Sequence, residues 1–240
     1  MNSPRLHLTA ATPSELLLKL ASIDISVPDQ TDGRTTGHRE QYMAARLLAT
    51  LAETDQLSFP LQIEHREKPD FALHLPQGTV GVECVEAVSE EWAQILAIRE
   101  RDFPDAMIFL PMLKPGEKKF SLEERVAIAK GETAGPPWVG KMAERQWAEA
   151  HAHFIAQKTK KLRNGNYSDF EQNWLLIQDD WAVPSLREAA RQEAGELCAA
   201  AIRPFLTPPS FARIFVTSSS WLVRLAPGPV EVRAVTELWN

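Results

Sequence analysis

Cysteine is scarce in this chain: Cys84 and Cys198 are the two among 240 residues. That excludes a disulfide scaffold and a four-cysteine zinc site, and it suits a reducing, cytoplasmic setting. Positive charge is not in excess. Lys and Arg number 26 against 32 Asp and Glu, a balance of −6. A histone-like binder is thereby excluded, although a local basic face is not. No run of about 18 apolar residues occurs, so no membrane span is expected. The N-terminal stretch mixes Thr9, Thr12, Ser14, Glu15 and Lys19 with its apolar residues and makes a poor signal peptide. Glycine-rich phosphate loops, a GxSxG elbow and an HExxH pair are missing. His151 and His153 fall on different faces of a helix and read as core or surface residues. Helix-turn-helix and zinc-finger spacings, internal repeats and low-complexity tracts are also absent.

What remains is an ordinary globular composition, 44% hydrophobic, in a chain long enough to bury a sizeable core. The expected plan is a single domain over 1–240, of mixed α/β (α+β) class around one sheet. Periodicity predicts helices over 13–22, with Ser14 as a candidate cap, and over 38–53, where Tyr42, Met43, Ala45, Leu47, Leu48 and Leu51 follow a helical repeat. Strand signals come next, at 59–63, 71–75 and 79–88, the last two joined at Pro76-Gln77-Gly78 as an antiparallel hairpin. Further helices are expected at 89–101, 122–130, 141–162 and 185–203. Further strands are expected at 106–113, 173–178, 212–217, 221–225 and 230–235. Residues 131–140, with Pro136-Pro137, read as a loop.

The chemistry concentrates around Asp70 and Glu83. Asp70 follows Pro69 and opens one strand, and Glu83 lies thirteen residues on, within the next. The turn at Gln77-Gly78 returns the chain, so both carboxylates come to the same end of the hairpin. Two carboxylates held close repel unless a cation lies between them. Hard oxygen donors of this kind suit Mg²⁺ or Mn²⁺, which take one or two carboxylates and keep several waters. Alternation puts Gly81, Glu83 and Val85 on one face and Val82, Cys84 and Glu86 on the other. Both faces are largely apolar, so the strand reads as central, where a charged glutamate needs a partner. An edge strand with a solvated glutamate is the plainer alternative.

A second off-pattern residue lies on the helix at 141–162. Its apolar stripe runs through Trp147, His151, Phe154, Ile155 and Leu162, and Lys158 falls in line with Ile155 and Leu162. A lysine there needs carboxylates or a phosphate to hold its charge, and it can orient a water or balance charge on a phosphate. Snorkelling to solvent from the margin of the stripe is the plainer alternative.

Together, Asp70, Glu83 and Lys158 resemble the PD-(D/E)XK nuclease superfamily, with residues 38–180 covering the family's element order. Asp70 corresponds to the aspartate of the PD element and Glu83 to the acid of (D/E)XK. The usual lysine position holds Val85. Some members carry that lysine on the following helix, and Lys158 matches the relocation. The string Ile155-Ala156-Gln157-Lys158-Thr159-Lys160-Lys161-Leu162, then Tyr167, then Asn173-Trp174-Leu175-Leu176-Ile177, is similar to bacterial members of that type.

The resemblance implies a restriction-endonuclease-like αβββαβ core, with an insertion at 89–140 and a C-terminal αβ extension over 181–240. It implies metal-dependent hydrolysis of phosphodiester bonds in nucleic acid, DNA ahead of RNA, with a homodimer allowed. Asp70, Glu83 and the Cys84 carbonyl would hold the Mg²⁺ or Mn²⁺, and Lys158 would complete the catalytic set. Glu40, on the first core helix, corresponds to an extra carboxylate of some members; Lys161 and Tyr167 are further accessory candidates. Lys160 and Arg163 are candidate phosphate contacts, with a solvated helix face as the plainer reading, and Lys114, Lys118 and Lys119 form a second basic cluster. The alternative is a nuclease-like scaffold that no longer cuts and serves in binding or assembly. Val85 and the acidic balance favour it.

Overall fold

The valine-rich run is the axis of the sheet. In the computed structural model, which describes residues 5–29, 32–116, 120–133, 135, 137–165 and 170–238, it forms an eleven-residue strand, Gly78–Val88. In chain order the elements are β1 (His7–Ala10), α1 (Pro13–Ala21), α2 (Thr36–Glu53), β2 (Leu61–His65), β3 (Phe71–Leu75), β4 (Gly78–Val88), α3 (Glu90–Asp102), α4 (Leu122–Ala129), α5 (Met142–Arg163), β5 (Gln172–Asp180), α6 (Glu188–Ile202), β6 (Arg213–Thr217), β7 (Trp221–Ala226) and β8 (Glu231–Ala234).

The eight strands lie in one mixed sheet, in sequence order from β1 to β8. Pairings are antiparallel up to β4, parallel from β4 through β5 to β6, and antiparallel again to β8. The parallel joints fall where helices intervene, as a crossover requires. Residues 181–238 therefore extend the same sheet through β6, β7 and β8. Alternation along the strands builds a core on each face. Val80, Val82 and Cys84 pack with α1 and α2, while Ala87, Leu175 and Ile177 pack with α5 and α6. The central strands are thus buried on both sides, as their continuous apolar runs require. No helix among the described residues is long and apolar enough to cross a membrane.

Three local expectations are corrected. Residues 106–113 form no strand. This continuous apolar run pairs with no strand of the sheet, and Met107 is 82% exposed. Side chains take the carbonyls that a ladder would have used. Arg99 Nε donates to Ala106 at 2.9 Å, Trp138 Nε1 to Leu110 at 3.3 Å and Gln146 Nε2 to Leu113 at 2.5 Å. The cap of α1 is Thr12 rather than Ser14, its hydroxyl accepting from the Glu15 amide at 3.2 Å. Helix α6 begins at Glu188, three residues late, because Leu186 is buried and its carbonyl accepts from Arg191 at 3.1 Å. Strand β1, four residues long, is too short for its period to announce it.

Candidate functional site

The β3–β4 hairpin brings the two predicted acids together. Phe71 pairs with Val82, so Asp70 and Glu83 stand opposite each other just beyond the ladder. The Arg66 amide donates to the Asp70 carbonyl at 2.7 Å and closes the turn before β3. The amide of Cys84, past the end of β3, donates to Asp70 Oδ2 at 2.6 Å. The aspartate side chain thereby takes the place of a ladder partner, which fixes its orientation.

Glu83 projects to the α5 side. Gly81, one alternation earlier, permits the close approach of neighbouring chain there. A Cβ on Gly81 would lie 2.7 Å from Pro69 Cγ, 2.9 Å from Asn173 Oδ1 and 3.1 Å from Phe170 Cδ2. Lys158 meets Glu83 from α5. Its Nζ donates to Glu83 Oε1 at 2.5 Å and lies 3.5 Å from the Cys84 carbonyl oxygen. The side chains of the pair are 15% and 11% exposed, so the lysine does not snorkel free. Its neighbours on the stripe, Trp147, His151, Ile155 and Leu162, are buried.

The charge of this group is lopsided. Burial and the neighbouring Glu83, then Glu40, push the Asp70 carboxyl up to about 7, against the Cys84 hydrogen bond and the Lys158 charge. Glu40 comes from α2 and is held by His65 on β2, with 2.9 Å between Nε2 and Oε2. The Leu6 amide points at His65 Nδ1 from 3.4 Å. Nδ1 therefore accepts, and Nε2 carries the proton given to Glu40.

Asp70 thus has two acids, Glu83 and Glu40, acting on it against one lysine that is itself bound to Glu83, an arrangement that attracts a further cation. The donors suited to hold it are Asp70, Glu83 and the Cys84 carbonyl, all hard oxygens. Among the described residues, no three His, Cys, Asp or Glu side chains already stand as a coordination shell. Two carboxylates and a carbonyl, with waters completing the shell, is a set that Mg²⁺ accepts.

The other predicted residues divide. Lys161 is exposed, one turn beyond Lys158 and on the same margin of α5. Lys160 and Arg163 lie about 160° and 140° around the helix from Lys158 and face away from the acids. Arg163 is also engaged with the chain itself, donating to the carbonyls of Phe205 (3.3 Å), Thr207 (2.8 Å) and Pro209 (3.1 Å). Tyr167, Lys118 and Lys119 lie outside the described residues.

Two features escaped the sequence reading. One is His65, which shares the core-facing parity of Leu61 and Ile63; a polar residue at an apolar position was its signal. The other is a buried cluster on the α5–α6 side around Asp179. Trp147 Nε1 donates to its Oδ2 at 2.7 Å, His151 Nε2 stands 3.4 Å from its Oδ1 and Arg191 Nη1 is 3.7 Å from Oδ2.

Comparison with protein-family models, with curated proteins and with solved structures finds no match to this chain.

Proposed function

We propose that the chain is a metal-dependent phosphodiesterase acting on nucleic acid, a nuclease of PD-(D/E)XK type with its lysine relocated to α5. The observation that carries the reading is the meeting of Lys158 with Glu83 at 2.5 Å, across 75 residues of sequence, beside an aspartate bound to the next amide. Three residues singled out for one chemistry converge on one point. The order α2, β2, β3, β4, α5, β5 supports the restriction-endonuclease-like core.

Asp70, Glu83 and the Cys84 carbonyl would hold Mg²⁺ or Mn²⁺. When bound, the ion supplies Lewis-acid polarisation of a phosphoryl oxygen and a water acidic enough to attack near neutral pH. Asp70 serves by its fixed orientation on the Cys84 amide. Glu83 balances Lys158, and Lys158 places positive charge where negative charge develops on the phosphoryl group. His65 holds Glu40 toward the same centre.

Cleavage of a supercoiled plasmid and of labelled DNA and RNA oligonucleotides in Mg²⁺ or Mn²⁺ tests the reading. Asp70→Ala and Glu83→Ala should each lower the rate by at least about a hundredfold, the scale of losing a positioned charge. Lys158→Met should do the same. Unchanged cleavage in both acid variants would remove the site.

One observation favours a second reading, a binding or assembly scaffold that does not cut. Lys158 donates toward both Glu83 and the Cys84 carbonyl, the oxygens that would hold the ion. An ammonium locked there would stand in for the metal. Titration with Mn²⁺ separates the two: a working site binds it through Asp70 and Glu83, and a lysine-locked one does not.

A further inference from the structure

The phosphodiesterase reading leaves open what holds the rest of a nucleic-acid strand, since the basic pair Lys160 and Arg163 faces away from the acids. A different basic residue lies on the lip of the site. The turn between β2 and β3 is closed by the hydrogen bond from the Arg66 amide to the Asp70 carbonyl, so Arg66 and Asp70 are backbone neighbours. The Arg66 side chain is exposed and lies over the Phe170 ring, 5.4 Å from its centroid. Phe170 packs above Gly81, one alternation from Glu83 on the same face of β4. The guanidinium is thus carried on an aromatic platform beside the acids, on the α5 side where Lys158 enters.

Among the described residues nothing neutralises its charge. Among the described residues no carboxylate forms an ion pair with Arg66, whereas Arg39, Arg125, Arg191, Arg224 and Arg233 each have one. Helix α5 reaches Asp179 from Trp147 near its start and Glu83 from Lys158 near its end, so it runs antiparallel to β4 and β5. Lys161, one turn past Lys158, accordingly lies toward the Gly81 and Phe170 end of the site. Arg66 and Lys161 flank that end from the hairpin and from the helix.

We propose that Arg66, oriented by Phe170, is a phosphate-positioning residue: it grips the backbone phosphate next to the reacting one, with Lys161 as the weaker contact on the opposite lip. The inference rests on the phosphodiesterase reading for the role of the central acids. It adds the path of the strand, across the β2–β3 turn rather than along the outer face of α5. A guanidinium fits this task because its planar fork pairs two phosphate oxygens, and stacking on Phe170 leaves its edge free to do so.

The test uses the full chain and one labelled DNA duplex, with an RNA of the same sequence. Cleavage in Mg²⁺ gives kcat and KM over a series of KCl concentrations; anisotropy in Ca²⁺ gives binding. Arg66→Ala should raise KM by about five- to tenfold with kcat within about twofold, as loss of uniform binding does. Its plot of log affinity against log salt should flatten by about one unit, the signature of one lost phosphate contact. Arg66→Lys should restore most of the salt slope, and Phe170→Leu should raise KM while leaving that slope intact. Lys160→Ala should change neither.

Wild-type cleavage with KM and salt slope unchanged in Arg66→Ala would overturn this inference and leave the phosphodiesterase reading standing. Binding that depends on Arg66, in a chain that never cuts, would overturn the hydrolytic reading and keep the strand path. A wild type that neither cuts nor binds would overturn both.

Discussion

Two buried aspartates on the same sheet are treated in opposite ways. Asp70 is pushed up to about 7 by burial, Glu83 and Glu40. Asp179 suffers burial too, yet the nearby His151, the Trp147 donor and Arg191 outweigh it and hold the carboxyl below its ordinary value. The difference lies in the neighbours rather than in depth. Around Asp179 the donor Trp147 and the basic side chains His151 and Arg191 outweigh the neighbouring acid Asp180, and the side chain serves as a tie between α5, α6 and β5. Around Asp70 other acids crowd in, and Lys158 is bound to Glu83 instead. Folding gains from the first arrangement and loses from the second. An acid cluster of the second kind is the arrangement that the proposed metal site would relieve.

The comparison is broken most forcefully at Asp179. Asp179→Ala strands Arg191 in the core without a counter-charge and leaves Trp147 Nε1 without its acceptor, and removal of one partner of a buried pair costs about 3–5 kcal/mol. Urea unfolding should show that loss, and thermal melting a corresponding drop. Asp179→Asn, which still accepts from Trp147 Nε1, should fall between. A neutral result would mean that the cluster is not a tie and that the contrast with Asp70 is empty.

At Asp70 the sign reverses. Its folded value of about 7 exceeds the ordinary 3.8, so between those pH values the folded chain holds a proton that the unfolded chain releases. The stability this group provides is whole below about pH 4, declines as pH rises, and reaches its floor above about pH 7. The full width of the shift corresponds to about 4 kcal/mol; partial exposure of the side chain brings the expected effect nearer 2 kcal/mol. Asp70→Asn, which keeps an acceptor for the Cys84 amide, should therefore be more stable than wild type by about that amount at pH 8 and equal to it near pH 4. Asp179, whose carboxyl is held low, shows its loss only as pH falls below the ordinary carboxylate range. Denaturant midpoints across pH 3–8 test both slopes, and an Asp70→Asn variant weaker than wild type at pH 8 would reverse the argument.

A divalent ion should relieve the same strain. Mn²⁺ at ten times its dissociation constant stabilises a folded chain by about 1.4 kcal/mol. At pH 8 it should raise the melting temperature of wild type and leave Asp70→Asn nearly unmoved. Equal shifts in the two would show that the ion binds elsewhere.

How far the sequence foretold these regions depends on the kind of signal each residue leaves. Glu83 and Lys158 interrupt apolar periods, so their oddness is visible along the chain, and the short hairpin makes the approach of Asp70 to Glu83 a local matter. Their pairing with Lys158 is not local. It was legible through resemblance to a known pattern of residues. Asp179 sits at the polar end of Asn173-Trp174-Leu175-Leu176-Ile177-Gln178, just where a strand is expected to stop, and nothing nearby marks it as buried. Its partners His151 and Arg191 lie on two separate helices. Arg66 and Phe170 meet between a turn and the segment after α5, a contact that no period encodes. Residues 106–113 failed differently. They form a short apolar run such as a buried strand shows, but a strand also needs an edge to join, and that is a property of the whole sheet.

The smallest expected effect concerns Glu40, and it distinguishes charge from burial as the origin of the Asp70 shift. Glu40 contributes to that shift after burial and Glu83, and it acts through space from α2, with His65 holding it in place. Glu40→Gln preserves size and can still accept from His65 Nε2, so packing is left alone while one negative charge goes. The Asp70 midpoint should then fall by less than one unit, which is worth under about 1.4 kcal/mol. The declining limb of the pH–stability curve should end correspondingly earlier, with the plateau above it raised by the same small amount. Carbon-detected NMR titration of the Asp70 carboxyl reads the midpoint directly. If it does not move, burial and Glu83 alone account for the shift, and Glu40 belongs to the packing of α2 on β2 rather than to the acid cluster.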